Sequence, residues 1–464
     1  MQNVELDNYL QNLFGKEKEN FLNAPAESKA IRINSLKISR EEFLYRMNSR
    51  NVDYQPLPFY ELGLELINDP LPLSHTIDFF LGYFQYQGIS SQIPALVLNP
   101  KPGEKVLDIA AAPGSKSTQL AALMQNEGEL YLNDISHGRL QPLNVNAQRA
   151  GLTNHVIMNL AGERYGSLFP EYFDKILVDA PCTALGTLAT NPEVIGWWSL
   201  DKLNKLCVSQ RQLLISAVKT LKPGGELVYS TCSVTPEENE VQIQWLIENY
   251  PVEILDIPLH RYFPSIETAK SNFKFCDGLS KSIRIFPHVH DAEGFFVIRL
   301  RKTDSIPARP NSKKMEWIGT QGWDDSLIKN ELLSISAKWG IDENIWTDFR
   351  YVRTRNRIWM MSPAIERVLS ERFQNAGLLL GENKLRGWKL TNQSVQFLNR
   401  AITKRKIELE ENALIDLFAH GTIPFKGTDS DYYALEWDNT AIASVYMDND
   451  TIKLRLPHSF RLRL

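Results

Sequence analysis

Cysteine is scarce, four residues in 464. So few thiols exclude a disulfide scaffold, and a cysteine in a special position is expected to be a free thiol of a reducing, cytoplasmic setting. Long apolar runs are missing as well. The opening MQNVELDNYLQNLFGKEKEN has no apolar core of a secretory signal, and no run approaches the ~20 residues of a membrane span, so no membrane partner is expected. Excess charge of one sign is also absent: 51 Lys+Arg against 55 Asp+Glu leave −4, too little basic character to grip nucleic acid through bulk charge alone. Neither GxGxxG nor GxxxxGK followed by Ser or Thr occurs, which removes the main support for dinucleotide or nucleoside-triphosphate binding. Internal repeats and low-complexity tracts are lacking, and 43% apolar with 23% charged residues excludes wholesale disorder.

What is present divides unevenly. The length predicts two to four domains at roughly 100–200 residues each. Residues 304–464 carry 23 basic and 21 acidic side chains and seven of the ten Trp, a basic, aromatic-rich tail that reads as a separate module on an acidic body. Residues 1–100, with Pro56, Pro58, Pro70 and Pro72 breaking short helical and strand patterns such as 30–33 and 60–67, read as an N-terminal α+β domain. From residue 105 short apolar runs (KVLDI, ELYLN, 156–158, KILVD, ELVYS) alternate with helical stretches 116–124, 139–150 and 203–221. That alternation means a doubly wound α/β, Rossmann-like parallel sheet over residues 101–302, with 294–300 as a further closing strand. The polar segment 302–314 reads as a linker, followed by an α+β extension: a middle part at 315–400, and at 401–464 a compact β unit with strands at 432–437, 441–446 and 451–456.

The chemistry gathers in the α/β part. After the first strand come Asp108, Ile109, then Ala110, Ala111, Ala112, Pro113, Gly114, Ser115 and Lys116, small residues that let a ligand approach amides at a helix N-terminus. The second strand ends at Asp134, an acceptor for a ribose diol. The fourth delivers Asp179-Ala-Pro-Cys182 and the fifth Ser230-Thr-Cys232-Ser233, so both thiols are expected at the carboxyl ends of strands in one sheet. Two thiols and a carboxylate beside a cofactor loop suit methyl transfer to C5 of cytosine. A thiolate adds to C6 and makes C5 nucleophilic, a carboxyl group holds the N3/N4 edge, and a base removes the C5 proton. A free thiol is only a few per cent ionised at neutral pH, so such a site must favour the thiolate. Cys207 and Cys276 read as small buried hydrophobes.

VLDIAAAPGSK, NDIS, VDAPC and STCSVTPEENE, in this order, with the lead-in YQGISS and the closing RIFPH…GFF, resemble the NOL1/NOP2/Sun family of RNA cytosine-C5 methyltransferases. The tail, with FRYVRTRNRIW and RLPHSFRLRL, is similar to its bacterial small-subunit (16S) rRNA subgroup, methyltransferase F. The resemblance implies S-adenosyl-L-methionine as cofactor, structured RNA (16S rRNA or the small ribosomal subunit) as partner, and an RNA-binding extension whose 401–464 part is PUA-like; the oligomeric state stays open, with a monomer favoured. It implies that 110–116, Asp134 and Asp179 hold the cofactor and that Asp179 orients the base, with Lys116 in the same site. It also implies that Cys232 is the nucleophile and that Cys182 assists product release.

Departures from the family pattern cluster around the site. After Cys182 stand Thr183, Ala184, Leu185 and Gly186 in place of Ser-Gly-x-Gly, with Ala189 where a basic residue is usual. Ala161 and Gly88 stand where acids are usual. These changes leave open a ribosome-associated RNA-binding protein with decayed catalysis, and a tRNA or DNA methyltransferase. Arg350, Arg353, Arg355 and Arg357 interleaved with Phe349, Tyr351 and Trp359 suit phosphate and base contacts on one strand face. Lys404-Arg405-Lys406 ahead of Glu408 reads as a salt-bridged helix surface, Trp197-Trp198 as RNA path or packing, and His288 and His290 as no metal site.

Overall fold

The computed structural model describes residues 3–68, 72–263, 276–307, 316–370, 372–427 and 429–456. Pro70, residues 308–314 of the expected linker and most of the RLPHSFRLRL end lie outside them. The N-terminal part pairs β1 (Ala30–Ile33), β2 (Asp53–Leu57), β3 (Tyr60–Asn68) and β4 (Phe84–Tyr86) antiparallel in the order β2-β3-β1-β4.

Every apolar run of the middle part becomes a strand. β5 (Lys105–Asp108), β6 (Glu129–Asn133), β7 (His155–Met158), β8 (Phe173–Asp179) and β9 (Leu221–Thr231) are parallel, and their central residues are buried on both faces, which is why they read as continuous apolar runs rather than alternating ones. Strand order reverses between β5 and β8, so the carboxyl ends of β5, β6, β8 and β9 open onto one crevice. β10 (Val252–Ile254), β11 (Ile283–Ile285) and β12 (Phe295–Lys302) close one edge, β12 antiparallel to β9 as the 294–300 run predicts. The long helix Leu200–Thr220, capped by the Ser199 side chain on the Lys202 amide, packs Leu213, Leu214, Ala217 and Val218 into the core beneath the sheet.

The tail is not set apart. Its strands are β13 (Trp317–Gly319), β14 (Arg350–Thr354), β15 (Arg357–Met361), β16 (Arg367–Leu369), β17 (Phe373–Ala376), β18 (Leu378–Lys384) and β19 (Gly387–Leu390), then β20 (Lys406–Glu408), β21 (Thr422–Pro424), β22 (Tyr432–Trp437), β23 (Thr440–Asp448) and β24 (Thr451–Lys453). The last five form one sheet, β20-β22-β23-β24-β21. β17 pairs antiparallel with β7 and so extends the catalytic sheet, and Ile365, Val368 and Leu369 join its core. Phe418 meets Phe80 of the N-terminal part at 5.1 Å in one shared apolar cluster.

Two further expectations are corrected here. The Arg350–Arg357 stripe is not one strand face: Arg355 (φ +37) lies in the turn of the β14–β15 hairpin, Arg350 donates to Thr320, and Arg353 and Arg357 pair with Glu331 and Glu382. Three of the tail's tryptophans build a core: Trp339, Trp346 and Trp388 are buried with their indole N–H groups bonded. Lys404 and Arg405 form a bend and Lys406 opens β20, so the run is not a helix, although it is salt-bridged: Arg405 to Asp431, Lys406 to Glu436.

At the β7–β17 edge His155 is fully buried, and burial pushes its imidazole down to about 4. The unfolded chain therefore binds this proton more readily, and stability falls as pH drops from the ordinary ~6.5 toward 4, by on the order of 3 kcal/mol. Urea unfolding between pH 7 and 4.5 should show this slope, and His155→Gln should flatten it. An unchanged slope would locate the acid sensitivity elsewhere.

Candidate active site

The crevice is built first on the loop after β5. Gly114, at φ +106, caps the helix Ser115–Leu123 without a side-chain bond, which leaves its first amides for a ligand. The Ala111 amide donates to the Asn133 carbonyl at 2.7 Å, and the Asn133 side chain bridges the Ile109 and Leu160 carbonyls at 3.0 Å each, locking the loop to three strand ends. Buried Asp108 accepts the Ser117 hydroxyl at 2.7 Å; burial, with Asp179 adding, pushes its carboxyl up to about 7. From the N-terminal sheet, buried Arg32 donates to Thr118 at 2.8 Å and to Gln87 at 2.8 Å, tying that domain to the same helix. Asp134, 3% exposed, accepts the Ser136 amide at 2.8 Å and lies 3.4 Å from Arg139. An uncapped helix start, small loop residues and an oriented carboxylate on the next strand fit a nucleoside-bearing cofactor with a charged tail.

The reacting groups stand on the other side of the switch point. Asp179 and Ser230 are register partners at the ends of β8 and β9. Lys116 Nζ lies 2.8 Å from one Asp179 oxygen and the Ser230 hydroxyl donates to the other at 2.7 Å, so both carboxylate oxygens are fixed. Parallel register then carries Cys182 and Cys232 to one level, Sγ to Sγ 3.3 Å. The bond with Cys232, reinforced by burial, pushes the Cys182 thiol well up, which disfavours a thiolate on Cys182; either sulfur can donate in this contact. Burial alone would lower the Lys116 ammonium, but Asp179, with Cys232 adding, raises it, so a cation stays charged within reach of the Cys232 sulfur. The constellation Lys116, Asp179, Cys182 and Cys232 expected from the sequence is brought together.

Sequence reasoning gave no role to the groups that hold it. Buried Glu238, in the run PEENE, accepts the Thr183 amide at 2.8 Å and the hydroxyls of Thr183 and Thr235, while Gln210 bridges it (3.1 Å) to the Pro181 carbonyl. Asn239 accepts the Thr231 hydroxyl at 2.6 Å and donates to the Ser233 carbonyl at 2.9 Å. One acid and one amide thus brace both cysteine loops, and their nearness in sequence to Cys232 is the signal that could have found them.

The departures have structural correlates. Ala184 adopts the left-handed conformation (φ +57) that suits the glycine usual there. Gly186 keeps its glycine for a reason: a Cβ would sit 2.2 Å from the Gly294 carbonyl, and its amide donates to the Cys232 carbonyl at 3.0 Å. Opposite Gly88 the missing acid is supplied from elsewhere, since Glu27 Oε2 would lie 3.0 Å from a Gly88 Cβ and Oε1 accepts the Ile89 amide. Burial, then Glu293, pushes Glu27 up to about 7. Ala189 is exposed, and nothing in the structure explains Ala161. Cys207 donates to the Glu237 carbonyl at 3.4 Å, and burial pushes its thiol up to about 12. Trp198 packs on Tyr9 at 5.0 Å, whereas the half-buried Trp197 carries Lys202 over its ring. His288 lies edge-on to Phe14 and Phe21, and no metal-binding cluster occurs among the described residues.

Known proteins match this chain along most of its length. Residues 95–301 fit the family model described as 16S rRNA methyltransferase RsmB/F. Ribosomal RNA small subunit methyltransferase F of Escherichia fergusonii is 35% identical over 377 residues, 79% of this chain and 76% of the relative, and that of Shigella flexneri matches equally. Among solved structures, NSun6 from Pyrococcus horikoshii with SFG, an S-adenosylmethionine analogue, aligns with TM-score 0.58 at 27% identity over 65% of this chain and 98% of that one. A methyltransferase homologue from the same organism aligns at 0.57 and 34% identity over 64% and 94%.

Proposed function

From the premise that the chain belongs to the RsmB/F family of 16S rRNA methyltransferases and is an S-adenosylmethionine-dependent RNA cytosine-C5 methyltransferase, we propose that it forms 5-methylcytidine in small-subunit rRNA with Cys232 as the nucleophile. The observation that carries the assignment of roles is the 3.3 Å pair of sulfurs in which a thiolate on Cys182 is disfavoured while the Lys116 cation acts on Cys232. A sulfur in the field of the Lys116 cation, beside a partner that resists ionisation, is the one better able to bear negative charge.

The residues divide the work. Cys232 adds to C6 of the flipped cytosine, which makes C5 an enamine carbon. Asp179, its oxygens held by Lys116 and Ser230, accepts from the N4 amino group and so holds the base's edge, while the Lys116 cation beside it offsets the negative charge that develops on the ring as sulfur adds. When bound, S-adenosylmethionine supplies an electrophilic methyl group. The loop 110–116 and Asp134 would hold it, the loop through the uncapped helix amides and Asp134 as an acceptor for the ribose diol. After a base takes the C5 proton, the C6–sulfur bond breaks, and Cys182 assists release by returning its hydrogen bond to the departing sulfur.

Labelled S-adenosylmethionine offered with small subunits, protein-free small-subunit rRNA, tRNA and duplex DNA tests this reading. Label is expected in small-subunit rRNA alone, at C5 of cytidine, and Asp134→Ala should weaken cofactor binding by about 1.5–3 kcal/mol in calorimetry. Label in tRNA or DNA without label in small-subunit rRNA would refute the substrate assignment.

A further inference from the structure

A cleft of about 410 Å³ opens between the β18–β19 hairpin and the sheet formed by β22, β23 and β24, far in sequence from the cysteines. Five cations line it: Lys384, Arg386, Lys389, Lys453 and Arg455. Lys384 pairs with Glu382 at 2.7 Å and Lys453 with Asp448, but Arg386, Lys389 and Arg455 have no carboxylate within ion-pair distance among the described residues. Arg386 is held by the Ser430 carbonyl, and Lys389 stands half-buried with its Nζ 5.7 Å from the centre of the Tyr432 ring. Burial, with Arg455 and Lys384 adding, pushes the Lys389 ammonium down against the opposing pull of Glu382, the carboxylate that lines the cleft among these five cations.

Two further features point to a ligand. Tyr432 and Tyr446 line the same cleft with ring centres 5.2 Å apart, and Arg386 lies 6.0 Å from the Tyr446 ring. Ser444, 5% exposed, forms part of the wall, and its hydroxyl has no hydrogen-bond partner among the described residues. Crowded cations attract phosphate, and the aromatic faces accept a base of any sequence. The cleft is also larger than a lone phosphate needs.

We infer that this cleft binds a single-stranded segment of the substrate RNA, with a phosphodiester on Lys389 and Arg455 and a base stacked on Tyr446. The inference rests on the rRNA reading above and locates the second grip on that RNA.

Lys389→Gln combined with Arg455→Gln, Tyr446→Leu and the charge-preserving Lys389→Arg are compared with wild type for binding to protein-free small-subunit rRNA across a salt series. The double variant should flatten the slope of log K against log salt by about 0.7 for each phosphate it no longer neutralises, while Lys389→Arg keeps it. Tyr446→Leu should weaken binding about 5- to 100-fold at an unchanged slope. Calorimetric cofactor binding should be unchanged in all three. If the double variant is destabilised, Arg455→Gln alone, on an exposed side chain, reads the slope. Wild-type affinity and slope in the variants, from a protein that methylates the rRNA, would overturn the cleft and leave the function intact. So would unchanged rRNA binding with weakened binding to assembled small subunits, which would make a ribosomal protein the occupant. If wild type neither binds nor methylates the rRNA, the function reading fails and takes the cleft with it.

Discussion

Cys232→Ala should abolish methyl transfer, by at least about 10³-fold, while cofactor and RNA still bind. Without the sulfur there is no C6 adduct, and C5 of cytosine is too weak a nucleophile to attack. The neighbouring Cys182 is poorly suited to replace it. Its thiol is pushed up partly by the bond to Cys232, which the substitution removes, but burial remains and still disfavours the thiolate. Cys182→Ala should behave differently. The nucleophile survives, so the C6–sulfur bond forms and the methyl is transferred, but elimination stalls. A protein–RNA adduct that resists denaturant should accumulate in Cys182→Ala and vanish in the double variant. Because the base must leave its stack to reach both sulfurs, the adduct needs the correct RNA rather than free cytidine. Gel mobility under denaturing conditions decides the matter: an adduct that persists in Cys232→Ala and is absent in Cys182→Ala would exchange the two roles.

Removing residues 304–464 should cost the protein its fold, not merely its RNA affinity. The composition of the tail suggests a detachable module whose loss spares cofactor binding, but the packing argues otherwise. Truncation strips β17 from β7 and bares an edge of the catalytic sheet. It also uncovers apolar surface now shielded by Ile365, Val368, Leu369 and Ala376 on one side and by Phe418 with its neighbours on the other. At ~1.5–3 kcal/mol per buried apolar side chain, half a dozen such losses amount to on the order of 10 kcal/mol, comparable with the entire stability of a typical domain. The truncated chain should be aggregated or unfolded, with no cofactor binding and no cooperative melting transition. A monomeric fragment 1–303 with wild-type cofactor affinity would show that the tail docks without stabilising.

Local sequence was enough wherever a residue's role depends on strand membership alone. The runs KVLDI, KILVD and ELVYS are too short and too apolar for surface elements, so they had to be buried parallel strands, and Asp179, Cys182 and Cys232 had to emerge at their carboxyl ends. The switch-point crevice and its reacting groups were legible for that reason. Long-range pairing was not legible, because nothing in a sequence states which distant charge or surface answers a given residue. The arginines of 350–357 read as an RNA face until Thr320, Glu331 and Glu382 proved to be partners of Arg350, Arg353 and Arg357, and the aromatic-rich tail read as a separate module until it proved to share its cores with the rest of the chain. The same limit hid Glu27 behind Gly88, sixty-one positions away, since only folding brings its carboxylate to that backbone. By itself the sequence determined the fold class of residues 101–302 and the chemistry at the strand ends. Which sulfur resists ionisation, what braces the two cysteine loops and whether the tail can be detached were decided by tertiary structure alone, because burial and hydrogen bonding between distant segments set the charge state and the docking energy.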